Sequence, residues 1–197
     1  MALRNSRLRY GTVAVTLHWL IGIAIVCMIA FGYYLSTLPI TDPGLYRLVQ
    51  LHKSIGLTIL VLSVLRVVWR LINPVPPLPD TLGKPMKILA RATHILLYVL
   101  IVAIPLSGWA MVSASPLGIP TMWFGLFEWP HIAPLAHLPF DQKDATEESI
   151  HTVHAWLAYG AVALLVLHIG AALLHHYFWK DDTLRRMVPG MRMKAET

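Results

Sequence analysis

Four histidines, His18, His52, His154 and His168, sit well inside strongly apolar stretches of this chain. His154 and His168 share one stretch, fourteen positions apart. At 3.6 residues per turn, that spacing brings both rings within about 40° of one helical face and about 21 Å apart along the axis. Imidazole in hydrocarbon is costly without a partner, so an intramembrane histidine marks a functional site by default. Depth sorts the four into pairs. His18 lies seven residues past Gly11, and His168 lies eleven before Trp179, near the same end of their stretches. His52 lies nine residues past Pro43, and His154 eight past Thr146, both counted from the opposite end. Each level therefore takes one imidazole from the last stretch and one from another.

Two imidazoles at one depth, with no thiolate or carboxylate beside them, suit haem iron better than structural zinc. Zinc in such sites takes four protein ligands, whereas a b-type haem takes one ligand on each axial face. A haem also needs a flat slot, and Gly22 and Gly56 each follow a candidate ligand by four positions. Gly160 and Gly170 lie near the other two, although glycines also serve plain helix packing in membranes. Haem propionates need cations. Arg66, Arg70 and the basic N-terminal stub suit the His18–His168 level, and Lys53 or Arg47 the other. Snorkelling to the interface is the competing role for each cation. His151 competes with His154, but its ring points about 100° away from that of His168. His94, just after Arg91, has no partner apparent at its depth and reads as structural or interfacial. His175 and His176 read as interfacial beside Tyr177 and Trp179, and His131 and His137 fall in a connection.

The elements that position these side chains follow from composition. The chain has 56% hydrophobic and 13% charged residues, against about 25% charged in soluble domains, and its mean hydropathy is +0.61. Four stretches, approximately 13–35, 45–71, 89–112 and 149–177, reach the roughly 20 residues needed to cross a bilayer. They leave room for a single domain over 1–197. The first apolar run is too long, and lacks the small-residue cleavage site, expected of a secretory signal. The expected fold is an all-α integral membrane four-helix bundle. The net charge of +6 does not point to nucleic acid. Of the Lys and Arg residues, only Arg47, Lys53 and Lys143 fall on the far side from the N-terminus. The rest, from Arg4 to Lys194, gather on one side, which puts both termini in the cytoplasm of a bacterial inner membrane. The single cysteine, Cys27, excludes an intramolecular disulfide and a covalent haem attachment motif and reads as a small buried residue.

Local signals mark the connections. Thr41 or Asp42 suits an N-cap for the second span, with Pro43 at its first position. Asn73–Pro79 is proline-rich and predicts an extended linker. Pro105 and Gly108 predict a kink in the third span. The connection from Ser113 to Thr146 carries Trp123, Phe124, Phe127 and Trp129. It reads as an interfacial aromatic belt, as a lid over an external pocket, or as both.

Several strings here match a known pattern: Leu17-His18-Trp19, His52 with Gly56 and a terminal Arg66-x3-Arg70, His154, His168, and above all Tyr177-Phe178-Trp179-Lys180-Asp181. On these residues the chain resembles the bacterial cytochrome b561 family over nearly its whole length. The resemblance implies a four-helix bundle holding two haem b groups, with His18, His52, His154 and His168 as axial ligands. It also implies an oxidoreductase that moves electrons between a periplasmic donor and ubiquinone, since a relative in this family is a superoxide oxidase. Lys53 is then a candidate for attracting an anion such as superoxide at the outer face, with Arg47 beside it, although the acidic outer loop opposes that field. Trp19, His94, Trp109 and His151 are candidates for the quinone pocket. The expected partners are the lipid bilayer, quinone, and superoxide or a periplasmic redox protein. Two other readings stand beside this one. The first is a haem-bearing anchor and electron relay for a partner dehydrogenase. The second is a haem-free transporter using its histidines for protons or metal.

Overall fold

The computed structural model describes residues 2–78 and 82–191. Pro79 of the proline linker, and Arg192 and Lys194 of the basic set, lie outside the described residues. The elements run α1 (Thr12–Thr37), α2 (Leu45–Ile72), α3 (Lys84–Ala114), β1 (Thr121–Trp123), β2 (Phe127–Trp129), α4 (Ala133–Ala136) and α5 (Phe140–Tyr177). The helices α1, α2, α3 and α5 are each long and apolar enough to cross a membrane. Even the shortest of them, α1 with 26 residues, rises about 39 Å against a hydrocarbon core of about 30 Å.

Burial is distributed as lipid demands. Leu65, Val166 and Leu167 face outward, while Ser54, Ser63 and Ser113 are buried. Lipid tails are as apolar as leucine, so the helices gain nothing by hiding Leu and Val. They associate through small residues and internal hydrogen bonds instead. Ser54 and Thr58 give their hydroxyl protons to backbone carbonyls one turn back, at 2.8 and 2.9 Å. The close helix contacts run α1 to α2, α2 to α3 and α3 to α5. Thus α5 joins the bundle chiefly through α3, and its backbone stands off from α1 and α2. That stand-off leaves an interior gap which the histidines of α5 face.

Three local expectations change. The second span begins at Leu45 with Gly44 as its cap, not at Pro43, because the Asp42 carboxylate accepts the Gly44 N–H at 2.7 Å and turns the chain first. The last span begins at Phe140 rather than Ser149, and its acidic first turns still carry a helical pattern beyond the apolar stretch. The third change is a two-stranded antiparallel hairpin in an otherwise helical chain, with Thr121 opposite Trp129 and Trp123 opposite Phe127. Its turn closes through the Leu126 N–H on the Trp123 carbonyl, with Phe124 at φ 48° and Gly125 at φ 75°. Two successive positive φ angles match the twist of a tight hairpin, which glycine allows freely and phenylalanine does not.

Candidate functional site

The four histidines meet across the gap in the two pairs that depth predicts. The His18 and His168 rings lie 6.1 Å apart between centroids, and the His52 and His154 rings 6.5 Å. The planes within each pair are steeply inclined, at 77° and 73°. A metal–imidazole bond of about 2 Å on each side, plus the half-widths of two rings, requires about 6 Å between centroids. Both pairs meet that requirement. Among the described residues, no group of three or more His, Cys, Asp or Glu side chains is arranged to hold a metal ion. Two nitrogen donors alone suit a metal that brings its remaining ligands with it, as haem iron does.

At the end that carries the termini, His18 and His168 are joined by His94 of α3, whose ring is 5.7 Å from that of His168. This corrects the expectation that His94 has no partner at its depth. Helix α3 starts at Lys84, so His94 lies almost three turns in rather than at the interface. His18, Ile21, Gly22, Arg66, His94 and Tyr98 are among the residues lining a cavity of about 80 Å³. Gly22 earns its place in a slot, since a Cβ there would meet nothing within 4 Å; at Gly56 it would only touch Met28, at 4.0 Å. Arg66 donates to the Ala14 carbonyl at 3.0 Å and lies 3.3 Å from His18 Nδ1. Arg66 and Arg70 both lie over the Tyr98 ring, at 5.4 and 4.8 Å. A guanidinium only donates, so in this arrangement His18 accepts at Nδ1 and, when neutral, carries its proton on Nε2. Binding a metal through Nε2 therefore goes with release of the Arg66 contact.

At the hairpin end, His52 and His154 rest against glycines that the sequence pattern did not single out as ring neighbours. A Cβ at Gly32 would lie 3.4 Å from His52 Cε1, and one at Gly108 would lie 3.2 Å from His154 Cε1. Phe31 flanks His52 at 5.6 Å between ring centroids. His52 Nδ1 is buried with no hydrogen-bond partner, whereas His154 Nδ1 is 2.9 Å from Ser107 Oγ. His151 is exposed on α5, and His154, half-buried, is the one that faces His52.

The long connection folds over the same end. Gln50 Nε2 donates to the Pro120 carbonyl at 2.7 Å and its Oε1 accepts the Met122 N–H at 3.1 Å. Trp123 Nε1 donates to Thr58 Oγ1 at 3.2 Å. The hairpin is thus pinned to α2, directly above His52. Lys53, expected to attract an anion, donates to the Pro120 carbonyl at 3.2 Å and is half-buried, while Arg47 is exposed. The four quinone-pocket candidates do not converge. Trp19 and His94 lie at the terminal end, where Trp19 Nε1 donates to the Met187 carbonyl at 2.7 Å. Trp109 and His151 lie at the hairpin end, where Trp109 Nε1 donates to the Pro130 carbonyl at 2.9 Å. His175, expected at the interface, is buried instead, with Nδ1 2.5 Å from Asp181. His137 Nδ1 caps the Ala133 carbonyl at 2.8 Å.

Four membrane-crossing helices around histidines paired across an interior gap define a class, the membrane-bound b-type cytochromes that work in electron transfer. The comparisons narrow it. A family model described as prokaryotic cytochrome b561 matches residues 9–190, and the chain belongs to that family. It is 40% identical over 190 residues to cytochrome b561 homolog 2 of Escherichia coli, covering 95% of each chain. It is 32% identical over 186 residues to the probable superoxide oxidase CybB of Yersinia pestis, covering 93% of this chain and 98% of that one. Cytochrome b561 homolog 1 of Escherichia coli is 29% identical over 185 residues, covering 92% and 97%. Family membership implies b-type haem, a redox role and a multi-pass membrane protein.

Proposed function

We propose that the chain is a single diheme domain that transfers electrons from a periplasmic donor, superoxide among the candidates, to the membrane quinone pool. His18 and His168 would hold one haem b, and His52 and His154 the other. The observation that carries this reading is the pair of imidazole separations, 6.1 and 6.5 Å, each spanning from α5 to a different helix. A haem held between such rings supplies one-electron chemistry. The protein's part is to hold and insulate the two sites, spaced about 21 Å apart by the rise of α5. Arg66 and Arg70, released from Tyr98, would neutralise propionates at the terminal end. The basic set beside the termini supports a cytoplasmic position for that end, and the hairpin and the His52–His154 pair would then lie at the periplasmic face of the inner membrane. Similarity to a probable superoxide oxidase supports superoxide as donor. Lys53, half-buried beside His52 and tied to the hairpin, is the nearest candidate for drawing an anion there. The hydrophobic quinone reaches the protein through the bilayer.

Two measurements test this. The dithionite-reduced spectrum of the purified chain should show the sharp α and β bands of low-spin haem at two haems per chain. Absence of a Soret band would return the transporter reading. Rapid mixing with superoxide should then reduce the haem. A rate no faster than that seen when superoxide dismutase removes the superoxide ends the superoxide reading. In that case a soluble redox subunit copurifying in stoichiometric amount would identify the donor as a partner enzyme.

A further inference from the structure

Ser107 lies on α3 between Pro105 and Gly108, at the point where the helix meets His154 of α5. Its Oγ is 2.8 Å from the Ile104 carbonyl and 2.9 Å from His154 Nδ1. A hydroxyl carries one proton, and a carbonyl oxygen can only accept. The Ser107 proton therefore goes to Ile104, and what Oγ offers His154 is a lone pair. Nδ1 must then carry the imidazole proton. In the neutral ring this leaves the free lone pair on Nε2, the nitrogen directed away from α3.

We infer that Ser107 is a positioning residue for the hairpin-end metal centre, acting through His154. It fixes the tautomer that presents Nε2 as a ligand and, by accepting from Nδ1–H, raises the basicity of that ligand. The inference rests on the diheme reading proposed above. It separates His154 from two other candidate ligands, His52 and His18. His52 Nδ1 is buried without a partner, and His18 Nδ1 faces a guanidinium, which sets the opposite tautomer. A hydrogen bond to the outer nitrogen of a ligating histidine fixes its ring and tunes the metal, and losing such a partner typically costs about 10–100-fold in metal affinity or activity. The two centres therefore differ by design, with the hairpin-end one biased toward its oxidised, more positively charged state by the more basic ligand. The local sequence supports the arrangement. Pro105 lacks an N–H and disturbs the helical hydrogen bonding around this turn, and Gly108 leaves the room in which the His154 ring sits.

The test is a redox titration of the purified, haem-loaded chain, comparing wild type with Ser107→Ala and Ser107→Thr. The component missing from His52→Ala identifies the hairpin-end haem. Ser107→Ala should raise the midpoint of that haem and leave the other unmoved. A tenfold loss of preference for the oxidised state would read as about 59 mV in a one-electron couple. It should also lose that haem about tenfold more readily. Ser107→Thr keeps a hydroxyl that can bond the carbonyl one turn back and should restore both midpoint and occupancy. Superimposable titrations of wild type and Ser107→Ala, equal shifts at both haems, or loss of the haem in the threonine variant as well as the alanine one would each overturn the inference. A wild-type chain with no haem to titrate would instead overturn the diheme reading on which it rests.

Discussion

Gly108 has no side chain at the place where the His154 ring needs space. A methyl group there would stand 3.2 Å from Cε1 and 3.5 Å from Nδ1, closer than comfortable carbon contact at about 3.5–4.0 Å. Ser107, its neighbour on α3, holds Nδ1 at 2.9 Å, so the ring can retreat only by giving up that contact. Gly108→Ala should therefore tilt His154 and reduce hairpin-end haem occupancy, while the His18–His168 haem keeps its bands. Gly22→Ala is the informative partner. A Cβ at Gly22 meets no protein atom, so the apo chain should tolerate it with unchanged thermal stability. Because Gly22 lines the cavity beside His18, the same variant should retain its terminal-end haem less well. Haem content per chain and the melting temperature of the apo form check both variants. Equal haem retention in Gly22→Ala and wild type would remove Gly22 from the haem slot.

Helix α2 and the hairpin meet at one hydroxyl. Ser54 is 1% exposed, and its Oγ lies 2.8 Å from the Gln50 carbonyl, 3.0 Å from the Met122 carbonyl and 3.0 Å from the Phe124 nitrogen. Its single proton serves the carbonyls, and its lone pair accepts the Phe124 N–H. Ser54→Ala takes this partner from the part-buried Phe124 N–H, which costs up to about 1–3 kcal/mol. The cost falls on the hairpin, because α2 keeps its own ladder of backbone bonds. Residues 115–130 should then exchange amide hydrogens faster, or be cleaved sooner by protease, with the haem bands unchanged. Unchanged exchange there would mean that Gln50 and Trp123 hold the hairpin without Ser54. This junction also marks where sequence reading stops. The histidine pairs are legible because fourteen positions and 3.6 residues per turn are local arithmetic. The hairpin is not, since its strands are three residues each and its anchors lie some seventy positions earlier in α2. His94 was misplaced for a related reason: depth counted from Arg91 misses the two helical turns that precede it from Lys84. Gly32 and Gly108 gave no signal as ring neighbours, because their partners sit on other helices.

At the scale of the whole molecule, the terminal end is tied together by chain segments far apart in sequence. Asn5 Nδ2 donates to the Pro74 carbonyl at 2.8 Å, Arg186 to the Pro77 carbonyl at 2.6 Å, and Arg9 to the Met191 carbonyl at 2.5 Å. The tail that makes the last two of these contacts is itself fastened to α5 through Asp181. That carboxylate lies 2.5 Å from His175 Nδ1 and accepts the Thr183 N–H at 2.8 Å. Partial burial opposes ionisation of Asp181, but the hydrogen bonds from His175 and Thr183 outweigh it and hold the carboxyl below its ordinary range. A carboxylate with a lowered folded pKa stabilises the fold fully above its unfolded pKa, about 3.9. That contribution is lost as pH falls through the folded value. The acid limb of the stability curve below about pH 4 should therefore contain a contribution from Asp181. Asp181→Asn should melt at a lower temperature than wild type at neutral pH, and the difference should shrink as pH falls below about 4, toward the lowered pKa of the folded carboxylate. Melting followed between pH 3 and pH 7 in detergent measures both. A difference that stays constant across that range would mean that Asp181 holds the tail by shape and hydrogen bonding alone, with its charge contributing nothing.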